Sequence, residues 1–215
     1  MENYSKYIDS TVLAANATKE QIYKLCKEAI SENFFSVCIN PFYVNLAKQI
    51  LKDSDIKVCT VVGFPLGQNT ISTKVFETLD AIKNGADEID MVINIARLKE
   101  NDFKYCVTEI NEITKAAQGR IVKVIVETAL LTEEDKINAC HIILNSNADF
   151  IKTSTGFSTS GAKLEDIKLF DKIIKRRKFI KAAGGIKNHA ELLEFVEAGV
   201  DRIGTSKGKE LIKKY

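Results

Sequence analysis

The chain has 215 residues, a length that suits one domain better than two, and we expect a single domain over residues 1–215. Hydrophobic residues make up 45% and charged residues 28%, which excludes an intrinsically disordered chain. The 31 Lys and Arg against 29 Asp and Glu leave a net charge of +2. Because the longest basic run is residues 175–178, we expect no nucleic-acid partner.

The apolar segments and the cysteines favour a cytoplasmic protein. No stretch approaches the 18 apolar residues of a membrane span, and the polar start lacks the core of a signal peptide, so we expect no membrane partner. The five cysteines are odd in number and scattered, as is typical of free buried thiols in a reducing compartment. With two distant histidines and no Cys-x-x-Cys, we expect neither a metal nor another cofactor.

Short apolar runs rich in β-branched residues recur along the whole chain and predict strands. Helical patterns separate them, and Thr18, Thr132 and Asn188 are expected to cap three of the helices. The first strand is short and less plain than the other seven. The predicted strands cover residues 7–11, 35–39, 57–64, 88–95, 121–127, 150–153, 179–183 and 202–205.

One strand–helix unit is used repeatedly. Gly85, Asn147 and Gly199 each open a phrase of a small apolar residue and Asp, and we expect the first residue of each phrase to be left-handed. Strand centres lie 21 to 33 residues apart, which fits a strand plus a crossover helix. Eight such units predict an α/β fold, a single-domain (β/α)8 TIM barrel. An open doubly wound sheet is the alternative, disfavoured because no break marks a switch point.

Ionisable residues interrupt the apolar strands at Asp90, Lys123, Glu127, Lys152 and Lys181. Lys152 and Lys181 end two Phe-Ile-Lys phrases 29 residues apart, so we expect them on neighbouring strands, facing one cavity. Two ammonium groups in a partly desolvated site depress the pKa of at least one of them, and a neutral amine can form a Schiff base. Asp90 can then shuttle protons. Taken singly, each charge could instead belong to a structural ion-pair network.

Glycine-rich turns follow the last strands and predict a phosphate site. In a barrel, the loops after the final strands commonly hold a phosphate through backbone N–H groups, and glycine leaves the oxygens room to approach. Tight turns without a ligand are the alternative reading. The predicted phosphate-binding residues are Gly156, Gly184, Gly185, Gly204, Thr205 and Ser206.

At these residues the chain resembles deoxyribose-phosphate aldolase, a class I aldolase family with a (β/α)8 barrel. The resemblance runs from Ile8 to Gly208 and includes Phe-Ile-Lys-Thr-Ser-Thr-Gly at 150–156 and Lys-Ala-Ala-Gly-Gly-Ile at 181–186. Further matching phrases occupy 8–13, 37–41, 62–67, 90–94, 123–128 and 202–206. It implies reversible cleavage of 2-deoxy-D-ribose 5-phosphate to D-glyceraldehyde 3-phosphate and acetaldehyde, in deoxyribonucleotide catabolism.

The resemblance also implies roles for single residues. Lys152 forms the imine with the C1 aldehyde, Lys181 tunes that amine and takes part in proton transfer, and Asp90 works with a water as proton donor and acceptor. A sugar phosphate is the expected partner, and we expect a homo-oligomer, either a dimer or a tetramer. Cavity-lining or supporting positions match Asp9, Cys38, Asn94, Lys123, Glu127 and Thr153.

The chain departs from the family pattern at Ser10, Ala96 and Lys207. Ser10 stands in place of a common His, Ala96 replaces a Gly after Asn94, and Lys207 replaces a small residue beside the phosphate turn. We expect Tyr215 to be an exposed end. Two other functions remain open: another Schiff-base aldolase or transaldolase, and a catalytically silent phosphate-binding barrel.

Overall fold

The computed structural model describes residues 4–213 and closes eight parallel strands into a barrel, in the order β1 to β8. The predicted (β/α)8 TIM barrel is confirmed, and the open sheet is excluded because β8 pairs with β1. Residues 1–3 and 214–215, and with them Tyr215, lie outside the described residues, so a single domain over 1–215 stays a prediction. The strands are β1 (Ile8–Val12), β2 (Ser36–Ile39), β3 (Lys57–Val62), β4 (Glu88–Val92), β5 (Ile121–Ile125), β6 (Phe150–Lys152), β7 (Phe179–Ala183) and β8 (Arg202–Thr205).

Helices connect the strands and cover the outside of the barrel. They are α1 (Lys19–Ser31), α2 (Val44–Ile50), α3 (Ile71–Lys83), α4 (Ile95–Lys99), α5 (Phe103–Ala116), α6 (Glu133–Leu144), α7 (Leu164–Ile174), α8 (His189–Glu197) and α9 (Gly208–Ile212). The three predicted capping residues, Thr18, Thr132 and Asn188, each accept a hydrogen bond from a backbone N–H in the first turn of α1, α6 or α8. None of the helices within residues 4–213 is long and apolar enough to cross a membrane.

The Asp of the repeated phrase binds the backbone of the neighbouring strand at the amino-terminal end of the barrel. The carboxylates of Asp87, Asp149 and Asp201 each accept a hydrogen bond from the N–H of the second residue of the preceding strand, at 2.8 to 2.9 Å. Gly85 and Gly199 have the predicted left-handed backbone, with φ of 106°. The same expectation is wrong for Asn147, whose N–H instead donates to the side chain of Asn111 at 2.9 Å. At Asn147 the turn is thus held by a hydrogen bond to a side chain, whereas Gly85 and Gly199 turn with a left-handed backbone.

The alternation of side chains along a strand separates the apolar core between strands and helices from the charged centre inside the barrel. In β4, Ile89 and Met91 belong to the apolar core between the strands and the helices. Glu88 and Asp90 lie on the other face, inside the barrel, where both carboxylates contact Lys123. Because successive side chains of a strand point to opposite faces, one strand supplies both the hydrophobic core and the charged centre.

Candidate active site

The charged centre of the barrel is built around the Asp90 carboxylate of β4. Lys152 and Lys181 are directly paired residues of β6 and β7, as their spacing in the sequence predicts. Their ammonium nitrogens lie 2.8 and 2.7 Å from the same oxygen, Asp90 Oδ2. Lys123 of β5 contacts the other oxygen, Oδ1, at 2.9 Å. One carboxylate thus joins three lysines from three neighbouring strands.

The contacts continue around the barrel. Lys181 Nζ lies 2.5 Å from Asp9 Oδ2, and Lys123 Nζ lies 2.6 Å from Glu88 Oε2. Arg202 of β8 contacts both remaining carboxylates: its Nε donates to Asp9 at 2.7 Å, and its Nη2 lies 3.0 Å from Glu88. In this network four basic side chains share three carboxylates. A structural ion-pair network was the alternative interpretation of these charges. Such a buried network is present, and it includes Lys152 and Lys181.

The electrostatics favour ionised carboxylates. Burial alone would raise the pKa of Asp90, but Lys123, Lys152 and Lys181 outweigh it and hold that pKa well below its usual value. For Lys181, burial acts to lower the pKa, and the charges of Asp9 and Asp90 reverse this and raise it. The depression expected from two neighbouring ammonium groups therefore does not apply to Lys181. Its proton is held by the carboxylates on either side.

Two paired thiols lie against the same carboxylate. Cys38 of β2 is in register with Cys59 of β3; Cys59 Sγ lies 3.1 Å from Asp90 Oδ1 and Cys38 Sγ 4.0 Å from Oδ2. The hydrogen bond with Cys59 lowers the pKa of Cys38, whereas burial raises that of Cys59. The ligand atoms of Cys38, Cys59 and Asp90 lie within 4.8 Å of one another. A cation there would face the charges of the three lysines, so these residues fit a metal poorly.

A cavity of about 610 Å³ opens above this network at the carboxyl ends of the strands. Among the described residues, Lys152 is the lysine of the network that lines it, whereas Lys123 and Lys181 are fully buried. The six residues predicted to bind phosphate all line this cavity: Gly156, Gly184, Gly185, Gly204, Thr205 and Ser206. The structure therefore brings the predicted nucleophile and the predicted phosphate loops to one cavity.

Two of these glycines are required by close approaches. A Cβ on Gly204 would lie 3.2 Å from Cε of Lys181, so the glycine leaves room for that side chain. Gly184 has φ of 80° and packs on Gly161: a Cβ on Gly161 would lie 2.3 Å from the Gly184 carbonyl oxygen. The loop after β6 and the loop after β7 thus touch through glycine backbone. Sequence reasoning missed Gly161.

The remaining predicted residues support the cavity without lining it. The Glu127 carboxylate accepts hydrogen bonds from the N–H and the hydroxyl of Thr155, a residue that lines the cavity. Glu127 itself has a left-handed backbone, with φ of 56°. Thr153 bonds through its hydroxyl to the backbone of Ala183, and Asn94 caps α4. Asp9, Cys38 and Lys123 lie in the buried network.

Several residues of the centre were missed. Glu88 and Arg202 complete the charged network, and Cys59 contacts Asp90. Glu88 could have been found from the alternation of side chains, because it lies two residues before Asp90 in the same strand. Lys187 and Phe157 line the cavity, and Lys187 lies two residues after the predicted Gly-Gly turn.

The three departures lie at different places. Ser10 is buried, and its hydroxyl has no hydrogen-bond partner within residues 4–213. Ala96 lies in α4, so the segment after Asn94 is helical. Lys207 lines the cavity, but its exposed ammonium group lies 3.8 Å from Glu210 rather than turned inward.

Comparison with known proteins identifies the family of the chain. Residues 4–210 match the DeoC/LacD family of aldolases. The chain belongs to this family. Over 99% of its length it is 57% identical to the deoxyribose-phosphate aldolase of Malacoplasma penetrans, of which it covers 96%; a relative of the same name from Ureaplasma parvum is 55% identical over the full length of both chains.

A solved structure of deoxyribose phosphate aldolase from Aeropyrum pernix, described as a unique tetramer, superimposes with a TM-score of 0.90. It is 31% identical, and the alignment covers 97% of this chain and 88% of that one. The chain is therefore an aldolase, a carbon–carbon lyase, on the TIM barrel that its sequence predicts.

Proposed function

We propose that the protein reversibly cleaves 2-deoxy-D-ribose 5-phosphate to D-glyceraldehyde 3-phosphate and acetaldehyde through a Schiff base on Lys152. The observation that carries the proposal is that Lys152 joins the Asp90 network to the cavity lined by the glycine loops. The names of the relatives from Malacoplasma penetrans and Ureaplasma parvum support this substrate. A role in the breakdown of deoxyribonucleotides belongs to the same proposal.

The first chemical step needs a neutral amine at Lys152. Its ammonium form contacts one carboxylate oxygen, which it shares with Lys181, whereas Lys181 and Lys123 each contact two carboxylates. Of these three lysines, Lys152 thus contacts the fewest carboxylates that can hold its proton. The neutral Nζ adds to the C1 aldehyde, and loss of water from the carbinolamine gives the protonated imine.

Carbon–carbon cleavage then uses the imine as an electron sink. A base removes the proton of the C3 hydroxyl, the C2–C3 bond breaks, and its electron pair moves to C2 as an enamine while C3 becomes the aldehyde of glyceraldehyde 3-phosphate. Protonation at C2 and hydrolysis release acetaldehyde and regenerate Lys152. Asp90, acting with a water, relays protons at the reacting carbon and oxygen. Lys181 is protonated at rest between Asp9 and Asp90, and it takes part by giving up this proton and regaining it within the cycle.

The phosphate is placed on the loops after β6, β7 and β8. Gly184 and Gly185 have left-handed backbones and line the cavity wall, and Ser206 adds a hydroxyl. Lys187 and Lys207 at the rim add positive charge. Binding the remote phosphate holds the aldehyde end against Lys152, so that binding energy contributes to the rate.

Three further statements belong to this proposal. The reaction needs no metal, because the protonated imine supplies the electron sink. The protein works in the cytoplasm, which the five free buried cysteines support. It assembles as a homodimer or homotetramer, which the tetramer described for the Aeropyrum pernix protein supports.

The test is to mix the protein with 2-deoxy-D-ribose 5-phosphate and to follow acetaldehyde with a coupled alcohol dehydrogenase. We expect acetaldehyde and glyceraldehyde 3-phosphate in equal amounts. A different Schiff-base aldolase or a transaldolase would form an imine with another sugar phosphate and release no acetaldehyde. A silent barrel would bind the sugar phosphate without turnover, and either result would refute the proposal.

A further inference from the structure

A second buried ion pair lies outside the barrel, between α3 and α5. Lys74 and Glu109 are both fully buried, and Lys74 Nζ lies 2.7 Å from Glu109 Oε1. Replacing a buried pair with apolar or neutral groups of similar volume is often neutral for stability. Stability alone therefore gives no sufficient reason for two charges at this place, and the contacts of the pair indicate another one.

The pair also binds backbone groups of the loop after β3 and of the end of β4. Lys74 Nζ donates to the carbonyl of Gly67 at 2.8 Å and to that of Val92 at 2.7 Å, which satisfies all three of its N–H groups. Glu109 Oε2 accepts a hydrogen bond from the N–H of Asn94 at 2.8 Å. Gly67 lies in the loop after β3, and Val92 ends β4, two residues beyond Asp90. The pair thus ties that loop to the strand that carries Asp90.

The hydrogen bond from Lys74 to the Val92 carbonyl replaces a hydrogen bond of the β3–β4 ladder. The register of β3 and β4, extended by one residue, places Gly63 opposite Val92. A strand carbonyl in this barrel accepts from the residue after its opposite, as Ile125 does from Ile93, so continued pairing would bring the N–H of Phe64 to the Val92 carbonyl. The strand β3 instead ends at Val62, and Gly63, with φ of 62°, donates its N–H to Glu77 Oε2 at 2.9 Å. The Val92 carbonyl then needs another donor, and the ammonium group of Lys74 supplies it.

The loop held in this way carries Phe64. Phe64 packs against a small cluster that contains Leu13, Cys38 and Cys59. Its ring also meets that of Phe157 edge-on, with centroids 5.3 Å apart. Leu13 and Phe157 line the cavity into which Lys152 opens. Phe64 therefore supports the apolar part of the cavity wall and covers the thiols beside Asp90.

We propose that Lys74 and Glu109 are positioning residues for the aldol cleavage: they hold the loop after β3 so that Phe64 keeps the apolar wall in place around the aldehyde end of the substrate. The inference rests on the function proposed above. Lys74 and Glu109 bond to the backbone of Gly67, Val92 and Asn94, and none of these is a residue proposed to bind the phosphate. Loss of the pair should therefore lower kcat more than it raises KM. A displacement of about 1 Å at a reacting centre can cost roughly a hundredfold in rate.

The test compares two double variants. Lys74→Met with Glu109→Gln removes the pair and keeps an acceptor for the N–H of Asn94. The matched control is Lys136→Met with Asp166→Asn, which removes a nearly buried ion pair of 2.6 Å between α6 and α7. Because Lys74→Met also leaves the carbonyls of Gly67 and Val92 without their donor, we expect the first variant to melt lower than the control, and kcat is measured below both melting temperatures. Only the first should lower kcat for deoxyribose 5-phosphate, by about ten- to a hundredfold, with KM within about threefold of the wild type.

A third variant, Phe64→Ala, keeps the test decisive if the first does not fold. Phe64 is partly exposed, so its loss should leave the fold intact, and we expect the same fall in kcat. Wild-type kcat in Phe64→Ala, or an equal fall in kcat in the control, would overturn the inference. If the wild-type protein itself released no acetaldehyde, the proposed function would fail, which is a separate result.

Discussion

The most informative perturbation of the proposed phosphate site is a pair of substitutions at Gly185. Its φ is 83°, and a Cβ there would meet only Cα of Gly161, at an ordinary 3.9 Å. Asp and Asn tolerate the left-handed region better than other residues with side chains, at a cost of about 1–2 kcal/mol. Gly185→Asp and Gly185→Asn therefore have nearly the same shape and differ in one negative charge.

The expected size of that charge effect follows from Coulomb's law. A carboxylate about 6 Å from a phosphate of charge −2, with an effective dielectric constant of about 40 because Gly185 is exposed, raises the energy by about 3 kcal/mol. Since about 1.4 kcal/mol corresponds to a factor of ten, kcat/KM of Gly185→Asp should be roughly a hundredfold below that of Gly185→Asn. Salt screens the repulsion, so the ratio should shrink as ionic strength rises.

The assay measures kcat/KM for 2-deoxy-D-ribose 5-phosphate and for unphosphorylated deoxyribose. The two variants should differ on the phosphorylated sugar and agree on the unphosphorylated one, which should also be a poor substrate for the wild type. Borohydride trapping of acetaldehyde should stay largely intact in both. Equal kcat/KM of the Asp and Asn variants on the phosphorylated sugar would mean that the phosphate lies elsewhere.

Four further predictions concern the nucleophile, the metal and the charged network. Borohydride reduction in the presence of substrate should leave an adduct that peptide mapping places on Lys152; an adduct on Lys181 would refute the mechanism. Activity should survive dialysis against EDTA, and loss that zinc restores would contradict this. Arg202→Met leaves two carboxylates short of a cation, so urea unfolding should show a loss of about 3–5 kcal/mol. The pKa values of Asp9 and Asp90 are lowered in the folded state, so their contribution to stability should be complete above about pH 5 and fall as the pH falls; a urea midpoint independent of pH between 5 and 3 would contradict this.

The sequence by itself determined the barrel and the two ends of the site. Strand and helix patterns are local, because side chains repeat every two residues on a strand and about every 3.6 on a helix. The 29-residue spacing of Lys152 and Lys181 equals one strand–helix unit, so local pattern placed them side by side. The glycine turn after β7 could be found for the same reason, because Gly184 and Gly185 follow the strand directly; Gly204 lies within β8 itself.

Only the tertiary structure decided which charges meet. Arg202 and Asp9 are 193 residues apart and become partners because β8 closes on β1, a contact that no local pattern contains. Lys74 and Glu109 look like ordinary charges of two amphipathic helices, and their burial depends on how the helices pack against the loops after β3 and β4. The pKa of Lys181 is likewise raised by Asp9 and Asp90 rather than lowered by the neighbouring lysine, because a pKa depends on every charge within a few ångströms.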